Sequence, residues 1–178
     1  MRKHTFQDGR NDFYCWICHK EGEVICCDVC PRVYHEDCMP RVKGVEKLSE
    51  KEFFCPECTR IADAENTATR IQSMKNVSAS DLAMMLEHVV VNINMLGIEI
   101  FSAPVDTEMN PTYQDYIFHP MDLGTIKAKI KRKDYGSTDA FLADIKWIQH
   151  NCSIFNGEGA DLSIISKKIV QKVRFKII

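Results

Sequence analysis

Eight residues of this 178-residue chain are potential metal ligands, and they fall into four pairs. The pairs are Cys15 and Cys18, Cys27 and Cys30, His35 and Cys38, and Cys55 and Cys58. Two residues separate the members of each pair, a spacing that lets both side chains point at one ion from a tight turn. Four such pairs supply enough ligands for two tetrahedral sites. The spacing therefore predicts two structural zinc ions.

An alternative for the same cysteines is the disulfide framework of a secreted protein. The first residues, Met1 to Phe6, contain no apolar run of the kind that a signal peptide requires. Without such a run we expect a reducing compartment, in which clustered thiols bind metal instead of cross-linking. The sequence therefore favours zinc.

Three segments are expected to position these side chains. Residues 1–60 hold all eight ligands and few periodic runs, which predicts a loop-rich domain that zinc holds together. Residues 61–77 lack Gly and Pro and are expected to form a helical connector, the alternative being a frayed helix that packs on nothing. The apolar face of this connector helix is expected to consist of Ile61, Ala64, Ala68 and Ile71. Residues 78–178 are long enough for a domain with its own core.

Apolar residues of the last segment recur at helical spacing in four stretches, which predicts an all-α four-helix bundle. Residues 97–119 are expected to form a long loop after the first helix. Ser78 or Ser80 is expected to cap the first helix, and Pro120 to lie in the first turn of the second. The expected inward faces are Leu82, Met85, Leu86, Val89, Ile93 and Leu96; Leu123, Ile126 and Ile130; Phe141, Ile145, Ile148, Cys152 and Phe155; and Leu162, Ile165, Ile169 and Val173.

Charge and hydropathy narrow the possible functions. The formal net charge is −2, and two zinc ions bound by seven thiolates make it about −5. A mildly acidic chain suits basic peptides better than nucleic acid bound by charge alone. No apolar stretch approaches the roughly 18 residues that a membrane span needs. His35 is committed to zinc and no metal site with an open position is evident, so we expect a binding protein without a membrane segment and not an enzyme.

The order of the ligands distinguishes two kinds of cross-braced zinc finger. Here the histidine is the fifth ligand, whereas the RING finger of ubiquitin ligases has its histidine one ligand earlier. The segment therefore resembles a PHD finger, a small zinc-stabilised α+β fold. The resemblance implies that one ion is shared by Cys15, Cys18, His35 and Cys38, and the other by Cys27, Cys30, Cys55 and Cys58.

PHD fingers commonly bind the N-terminal tail of histone H3 as an added strand, in which main-chain hydrogen bonds supply affinity. The strand implied here is Glu23, Val24, Ile25 and Cys26. Members that read methylated lysine often carry Trp two residues before the ligand histidine, where this chain has Val33. Members that prefer unmodified lysine tend to carry acids where Asp12 and Asp28 stand, which would accept hydrogen bonds from an ammonium. We expect unmodified or lightly methylated lysine; the alternative is a finger that only packs on its neighbour.

The third segment carries motifs in the order Pro104-Val105-Asp106, Tyr113, Pro120 to Ile126, and Asn151 to Asn156. Across nearly all of residues 80–178 these resemble a bromodomain, a left-handed four-helix bundle. Acetylation makes a lysine side chain a neutral amide, which can enter an apolar cavity without burying a charge. Its carbonyl still needs a donor, and the carboxamide of Asn156 suits that hydrogen bond.

The resemblance also implies the rest of an acetyl-lysine pocket. Tyr113 would hold a bridging water to the same oxygen, and Phe155 stands where the family usually has tyrosine. The implied apolar walls are Phe101, Pro104, Val105 and Leu162. Taken alone, Asn156 before Gly157 also fits an ordinary turn.

A basic cluster is expected around the end of the second helix, formed by Lys127, Lys129, Lys131, Arg132 and Lys133. Such a cluster is typical of a solvated helix face. The alternative is weak contact with the DNA phosphates of a nucleosome.

A PHD finger joined to a bromodomain resembles nuclear chromatin readers. More narrowly, the segments 13–19, 26–35 and 116–123 resemble the MYND-type zinc finger-containing chromatin readers. In those proteins PHD, bromodomain and PWWP modules occur in series. The chain ends without a helix-stop signal, which is typical of a fragment. The resemblance implies a transcriptional co-regulator that binds H3, or H3 and H4, tails within corepressor or coactivator complexes. The alternatives are a ubiquitin or SUMO ligase and an interaction platform that reads no histone.

Overall fold

The structure, a computed structural model, describes residues 11–41, 52–66, 76–94 and 98–177. The chain divides into two compact units, Met1–Ala62 and Asp63–Ile178, which we call the finger and the bundle. Most of the predicted connector, including Ala68 and Ile71, lies outside the described residues, as does Leu96. Among the helices of the described ranges, none combines the length and the apolar character that crossing a membrane requires.

The finger is built on a minimal sheet. Strand β1 (Ile25–Cys26) pairs antiparallel with β2 (Val33–Tyr34), with Ile25 opposite Tyr34 and Cys26 opposite Val33. Val33 also forms an isolated parallel bridge with Cys15. A 3₁₀ turn (Glu36–Arg41) follows β2, and helix α1 (Pro56–Glu65) follows the first cysteine of the last ligand pair. Strands of two residues are too short to be stable alone, so the metal sites must supply much of the folding free energy.

The bundle consists of four main helices and a loop with local structure. Its elements are α2 (Ala79–Asn94), a 3₁₀ turn (Glu99–Phe101), α3 (Tyr113–Tyr116), α4 (Leu123–Arg132), α5 (Thr138–Asn156) and α6 (Asp161–Ile177). Helix α5 packs along α6, and α2 packs against α4, α5 and α6. One apolar core runs through all four, with Leu86, Leu123, Phe141 and Ile169 almost fully buried. The predicted helical bundle is confirmed.

Side-chain caps fix where two of the helices begin. The Ser78 hydroxyl accepts the Asp81 amide at 3.1 Å, while the Asp81 carboxylate accepts the Ser78 amide at 3.2 Å. This reciprocal arrangement makes Ser78 the cap of α2. Helix α4 begins at Leu123 because the Asp122 side chain accepts the Thr125 amide at 2.9 Å. The prediction that Pro120 lies in the first turn of this helix is therefore wrong.

The inward faces differ from the predicted ones at two places. Met85 is 50% exposed, because α2 turns the stripe that contains Leu82, Leu86 and Val90 toward the core. In α6, Ser163 and Ser166 are buried, while Leu162 and Ile165 are only partly buried. The buried serines are tolerated because both hydroxyls donate to carbonyl groups, at 3.0 Å and 2.8 Å.

The long loop between α2 and α4 is held at both ends. Near its start, the Ser102 carbonyl lies so close to Gly124 that a Cβ on Gly124 would stand 2.7 Å from its oxygen. Near its end, the buried Asn151 side chain of α5 donates to the His119 carbonyl at 2.7 Å. In between, Asp106 accepts the Glu108 amide at 2.8 Å. The described part of this loop, residues 98–122, is thus a fixed part of the bundle's end, as a binding pocket requires.

Candidate functional site

The finger brings all eight predicted zinc ligands together in two clusters. The mixed set is Cys15, Cys18, His35 and Cys38, and the all-cysteine set is Cys27, Cys30, Cys55 and Cys58. Within each set the ligand atoms all lie within 4.8 Å of one another. These are the two sets that the resemblance to a PHD finger implies.

The distances inside each set fit zinc. With Zn–S bonds of about 2.3 Å, two sulfur atoms of a tetrahedral site lie about 3.8 Å apart. In the all-cysteine set, Cys27 Sγ lies 3.9 Å from Cys58 Sγ, and Cys30 Sγ lies 3.6 Å from Cys55 Sγ. In the mixed set, Nδ1 of His35 lies 3.2 Å from Cys18 Sγ. Each set has four protein ligands and no open position, so both zinc ions are structural.

Backbone amides surround the sulfur atoms as they do around metal-bound thiolates. The His35 amide donates to Cys15 Sγ at 3.4 Å, the Cys55 amide to Cys27 Sγ at 3.3 Å, and the Cys58 amide to Cys55 Sγ at 3.4 Å. Such hydrogen bonds favour the ionised sulfur that binds zinc.

Gly22 gives the zinc histidine its space. Its φ of +148° is one that L side chains rarely adopt, and a Cβ here would stand 2.7 Å from Nε2 of His35. Because Nδ1 faces the cysteines, Gly22 packs against the opposite side of the imidazole ring. The glycine therefore lets the chain close over the histidine.

The predicted tail-binding strand lies at the edge of the described sheet. Its last two residues, Ile25 and Cys26, form β1, whose sheet has the order β1–β2. The side chains of Val24 and Ile25 are buried, Cys26 is half-buried and Glu23 is exposed. An added strand at this edge would therefore meet the main chain of β1 and the side chain of Glu23.

The two predicted acids differ in position. Asp12 is 2% exposed, and its Oδ1 accepts the amides of Phe13 and Tyr14 at 2.7 Å and 3.3 Å. Asp12 thus caps a buried turn, and its role toward a lysine ammonium stays a prediction. Asp28 is exposed, and its Oδ2 accepts the Phe53 amide at 2.8 Å. Asp28 is therefore the more accessible of the two predicted acids.

Val33 is completely buried in β2. The position from which a cage tryptophan would extend is thus filled by an aliphatic core side chain. Trp16 is buried and stacked against a guanidinium, and Phe53 packs edge-on against Tyr34 with ring centroids 5.9 Å apart. Both aromatic rings serve the finger's interior.

In the bundle, Asn156 is the last residue of α5 and its side chain is exposed. Helix α5 stops here because Gly157 adopts a φ of +84°. The Asn156 amide nitrogen lies 3.2 Å from the Cys152 carbonyl oxygen and 3.4 Å from Cys152 Sγ. Because sulfur is a weak acceptor, a ligand oxygen can replace Cys152 Sγ at one of the two N–H groups of Nδ2.

Tyr113 and Phe155 complete an aromatic group beside Asn156. Their rings meet edge-on with centroids 5.0 Å apart, and the exposed Tyr116 packs against Phe155 at 6.5 Å. Burial raises the pKa of Tyr113 to about 12, and Cys152 and Asp122 act on it in the same direction. Tyr113 therefore remains a hydroxyl donor at neutral pH.

The four residues of the predicted apolar wall differ in how far they are buried. Phe101 is half-buried and packs against the bundle core, and Leu162 is half-buried at the start of α6. Pro104 and Val105 are exposed on the loop. Tyr113 and Phe155 thus lie together beside Asn156. Two of the four predicted wall residues, Pro104 and Val105, face solvent.

Sequence reasoning missed Ser163, which supports the floor of this site. Its hydroxyl donates to the Cys152 carbonyl at 3.0 Å, the same oxygen that Asn156 contacts. Ser163 follows Leu162 and falls off the apolar stripe of α6, so a pattern of hydrophobic residues gives no signal for it.

The profiles of two protein families match the chain over these regions. The PHD-finger profile matches residues 15–58, and the bromodomain profile matches residues 92–169. The chain belongs to the PHD finger–bromodomain proteins. PHD fingers and bromodomains are reader modules and are not catalytic.

Several curated proteins share both modules with this chain. It is 29% identical to the MYND-type zinc finger-containing chromatin reader Zmynd8 of Drosophila melanogaster, over 92% of the chain and 9% of that protein. It is 31% identical to the E3 ubiquitin-protein ligase TRIM33 of Homo sapiens, over 84% of the chain and 14% of that protein. It is 28% identical to a nucleosome-remodeling factor subunit NURF301-like of Caenorhabditis elegans, over 82% of the chain and 7% of that protein. The chain thus spans a small part of each of these relatives.

Proposed function

We propose that this chain is the histone-reading part of a nuclear transcriptional co-regulator. Its bromodomain binds acetyl-lysine, and its PHD finger binds the N-terminal tail of histone H3. The observation that carries the proposal is the edge-on packing of Tyr113 against Phe155, next to Asn156 at the C-terminal end of α5. A neutral amide fits this group of one carboxamide donor, one buried hydroxyl and aromatic edges, whereas a lysine ammonium would lack a counter-charge.

Asn156→Ala tests the acetyl-lysine site. We expect the variant to bind an acetylated histone peptide about 10-fold or more weakly, because the acetyl carbonyl loses its direct donor in a partly desolvated site. Asn92→Ala is the matched control, since the Asn92 side chain also donates to the carbonyl four residues earlier, at 2.7 Å, but on α2. Isothermal titration calorimetry measures both. Equal binding by Asn156→Ala and wild type would refute the site.

For the finger, we propose that the H3 tail adds to the edge of β1 and that Asp28 accepts a hydrogen bond from an unmodified or lightly methylated lysine. Asp28 is exposed next to the zinc-bound Cys27, and Val33 leaves no aromatic cage at its position. Each methyl group on the lysine removes one N–H donor, so three methyl groups leave none.

Asp28→Asn tests this reading, because the amide oxygen can still accept the Phe53 amide while the negative charge is lost. We expect about 3- to 10-fold weaker binding of the unmodified H3 peptide. Glu36→Gln, which neutralises another exposed acid of the finger, is the control and should bind as wild type. An array of H3 peptides that carry zero to three methyl groups on the lysine at position four ranks the affinities for the methylation states. Tighter binding of the trimethylated peptide would contradict the proposal.

The similarity to an E3 ubiquitin-protein ligase suggests a second function to test, the conjugation of ubiquitin. The chain spans 14% of that human relative, and its ligand order is that of a PHD finger. We propose that the chain itself does not conjugate ubiquitin or SUMO. An in vitro conjugation assay with the purified chain should give no product above the background without it.

The basic cluster contributes little to the proposed function. Lys129 is paired with Asp144, Arg132 with Asp134 at 2.8 Å, and Lys133 donates to Ser80 at 2.9 Å. This leaves Lys127 and Lys131 as candidates for nucleosomal DNA phosphates. With two contacts, the logarithm of the affinity should fall with log salt at a slope of about −2, a weak dependence.

A further inference from the structure

Arg32 is a charged residue in the interior of the finger. Only 4% of its surface is exposed, and it lies between the zinc ligand Cys30 and strand β2. A guanidinium removed from water is costly unless negative charge and hydrogen-bond acceptors compensate it. Its burial therefore points to a specific partner.

The contacts of Arg32 identify that partner. Nη1 lies 3.5 Å from Cys30 Sγ, within reach of a hydrogen bond to sulfur. The guanidinium carbon lies 4.5 Å from the centroid of the Trp16 ring, a cation–π distance. The planar group is thus clamped by an aromatic face while one N–H is directed at a zinc ligand.

The formal charges of the two metal sites explain why the all-cysteine site has the greater need of a positive neighbour. Four thiolates around Zn²⁺ carry a formal charge of −2, whereas three thiolates and a neutral histidine carry −1. Cys27 and Cys55 of the all-cysteine set are buried, so water screens that charge poorly. The buried Glu57 adds to the negative charge that acts on Arg32, and it is also bound by Arg60, 2.7 Å from Oε1, and by the Tyr34 hydroxyl, 2.7 Å from Oε2.

We propose that Arg32 is the positioning residue of the all-cysteine zinc site: it neutralises part of the charge of the occupied site and, through Cys30, keeps the metal in place. The inference concerns the stability of the metal site and does not depend on which histone mark the protein reads. Without the guanidinium, the occupied site holds an uncompensated negative charge in the interior. Zinc is then lost more easily and the Cys30 sulfur reacts faster with electrophiles.

Three variants of the zinc-loaded chain test the proposal. Arg32→Met keeps an apolar side chain of similar length on Trp16 but removes the charge, and Arg32→Lys keeps the charge. Arg60→Met is the matched control, because it removes one positive charge from the same domain at a residue that pairs with Glu57 instead of sulfur. Cadmium-113 NMR of the exchanged protein separates a site with four sulfur ligands from one with three sulfurs and a nitrogen. Chelator competition then gives the retention of metal at each site.

We expect Arg32→Met to weaken metal retention about 10- to 100-fold in the all-cysteine site, with the resonance of the mixed site unchanged until that metal has left. Arg32→Lys should recover part of this loss, Arg60→Met should stay within about 2-fold of wild type, and iodoacetamide should label Cys30 faster in Arg32→Met. Simultaneous loss of both metals, which marks general unfolding, would overturn the proposal. So would Arg32→Lys behaving like Arg32→Met, or Arg60→Met losing metal as readily.

Discussion

Tyr113 illustrates how a single buried polar group acquires its role from its surroundings. By type it is an ordinary tyrosine on a loop, but the structure buries it against Phe155. Burial disfavours the phenolate and raises the pKa of Tyr113 to about 12, from the usual value of 10.0. The neutral hydroxyl is the form that can donate to a water beside an acetyl carbonyl.

This shift predicts the pH dependence of both stability and binding. Because the folded pKa is raised, the contribution of Tyr113 to stability is fully present below about pH 10 and is lost as the pH rises through about 12. Affinity for an acetyl-lysine ligand that carries no other titrating group should therefore stay constant from about pH 7 to about pH 10. Calorimetry at several pH values checks this. A decline in this window that is absent in Tyr113→Phe would contradict it.

The two acids of the finger show the limit of residue-level reasoning. Asp12 and Asp28 look equivalent as acids beside zinc ligands, yet one caps a buried turn and the other is exposed. The difference arises because Asp12 is drawn inward by the bond from its amide to the Pro31 carbonyl at 2.8 Å. No local pattern encodes that distant contact.

At the scale of elements, the loop between α2 and α4 packs closely against the first turn of α4. Gly124 in the first turn of α4 lies against the Ser102 carbonyl, and a Cβ would also stand 2.9 Å from Oδ1 of the capping Asp122. Both neighbours are fixed, one as backbone and one by its bond to the Thr125 amide. The loop therefore has little room to yield.

Gly124→Ala should destabilise the bundle by about 1–3 kcal/mol, the usual cost of overpacking. It should also weaken acetyl-lysine binding, since Phe101 and Ser102 would be pushed away from the pocket. Chemical denaturation followed by circular dichroism measures the first effect. Gly159→Ala is the control, because nothing lies within 4 Å of the position of its Cβ. A Gly124→Ala variant as stable as this control would show that the loop adapts.

At the scale of the whole molecule, the two units depend on different sources of stability. The bundle has a continuous apolar core drawn from four helices. The finger has two strands of two residues each and two sets of metal ligands. Its folding should therefore require zinc, whereas the bundle's should not.

A strong chelator should unfold the finger and leave the bundle folded. Each unit contains one tryptophan, Trp16 in the finger and Trp147 in α5, and both are buried. Chelation should shift the emission of a Trp147→Phe variant to longer wavelength and leave that of a Trp16→Phe variant unchanged. The helical circular dichroism should fall only slightly. Loss of the bundle's thermal transition on chelation would contradict the separation.

The zinc ligands and the helices could be predicted from the sequence because both depend on short-range spacing. Two residues between ligands define a turn at a metal, and a three-four repeat of apolar residues defines a buried helical stripe. These features constrain the chain within a few residues of itself. The position of the histidine among the ligands and the order of the bundle motifs were then enough to predict the protein family.

The tertiary structure decided which side chains meet once these elements are assembled. It buried Asp12, turned Met85 outward, placed Ser163 beneath Asn156 and enclosed Arg32 between Trp16 and Cys30. Each of these outcomes depends on contacts between residues that are distant in the chain or on the rotation of a helix about its axis. Periodicity fixes a helical stripe only to within a residue or so, and the spacing of ligands says nothing about the groups around them. The chain by itself thus determined its metals and modules, and packing determined the chemistry of their surroundings.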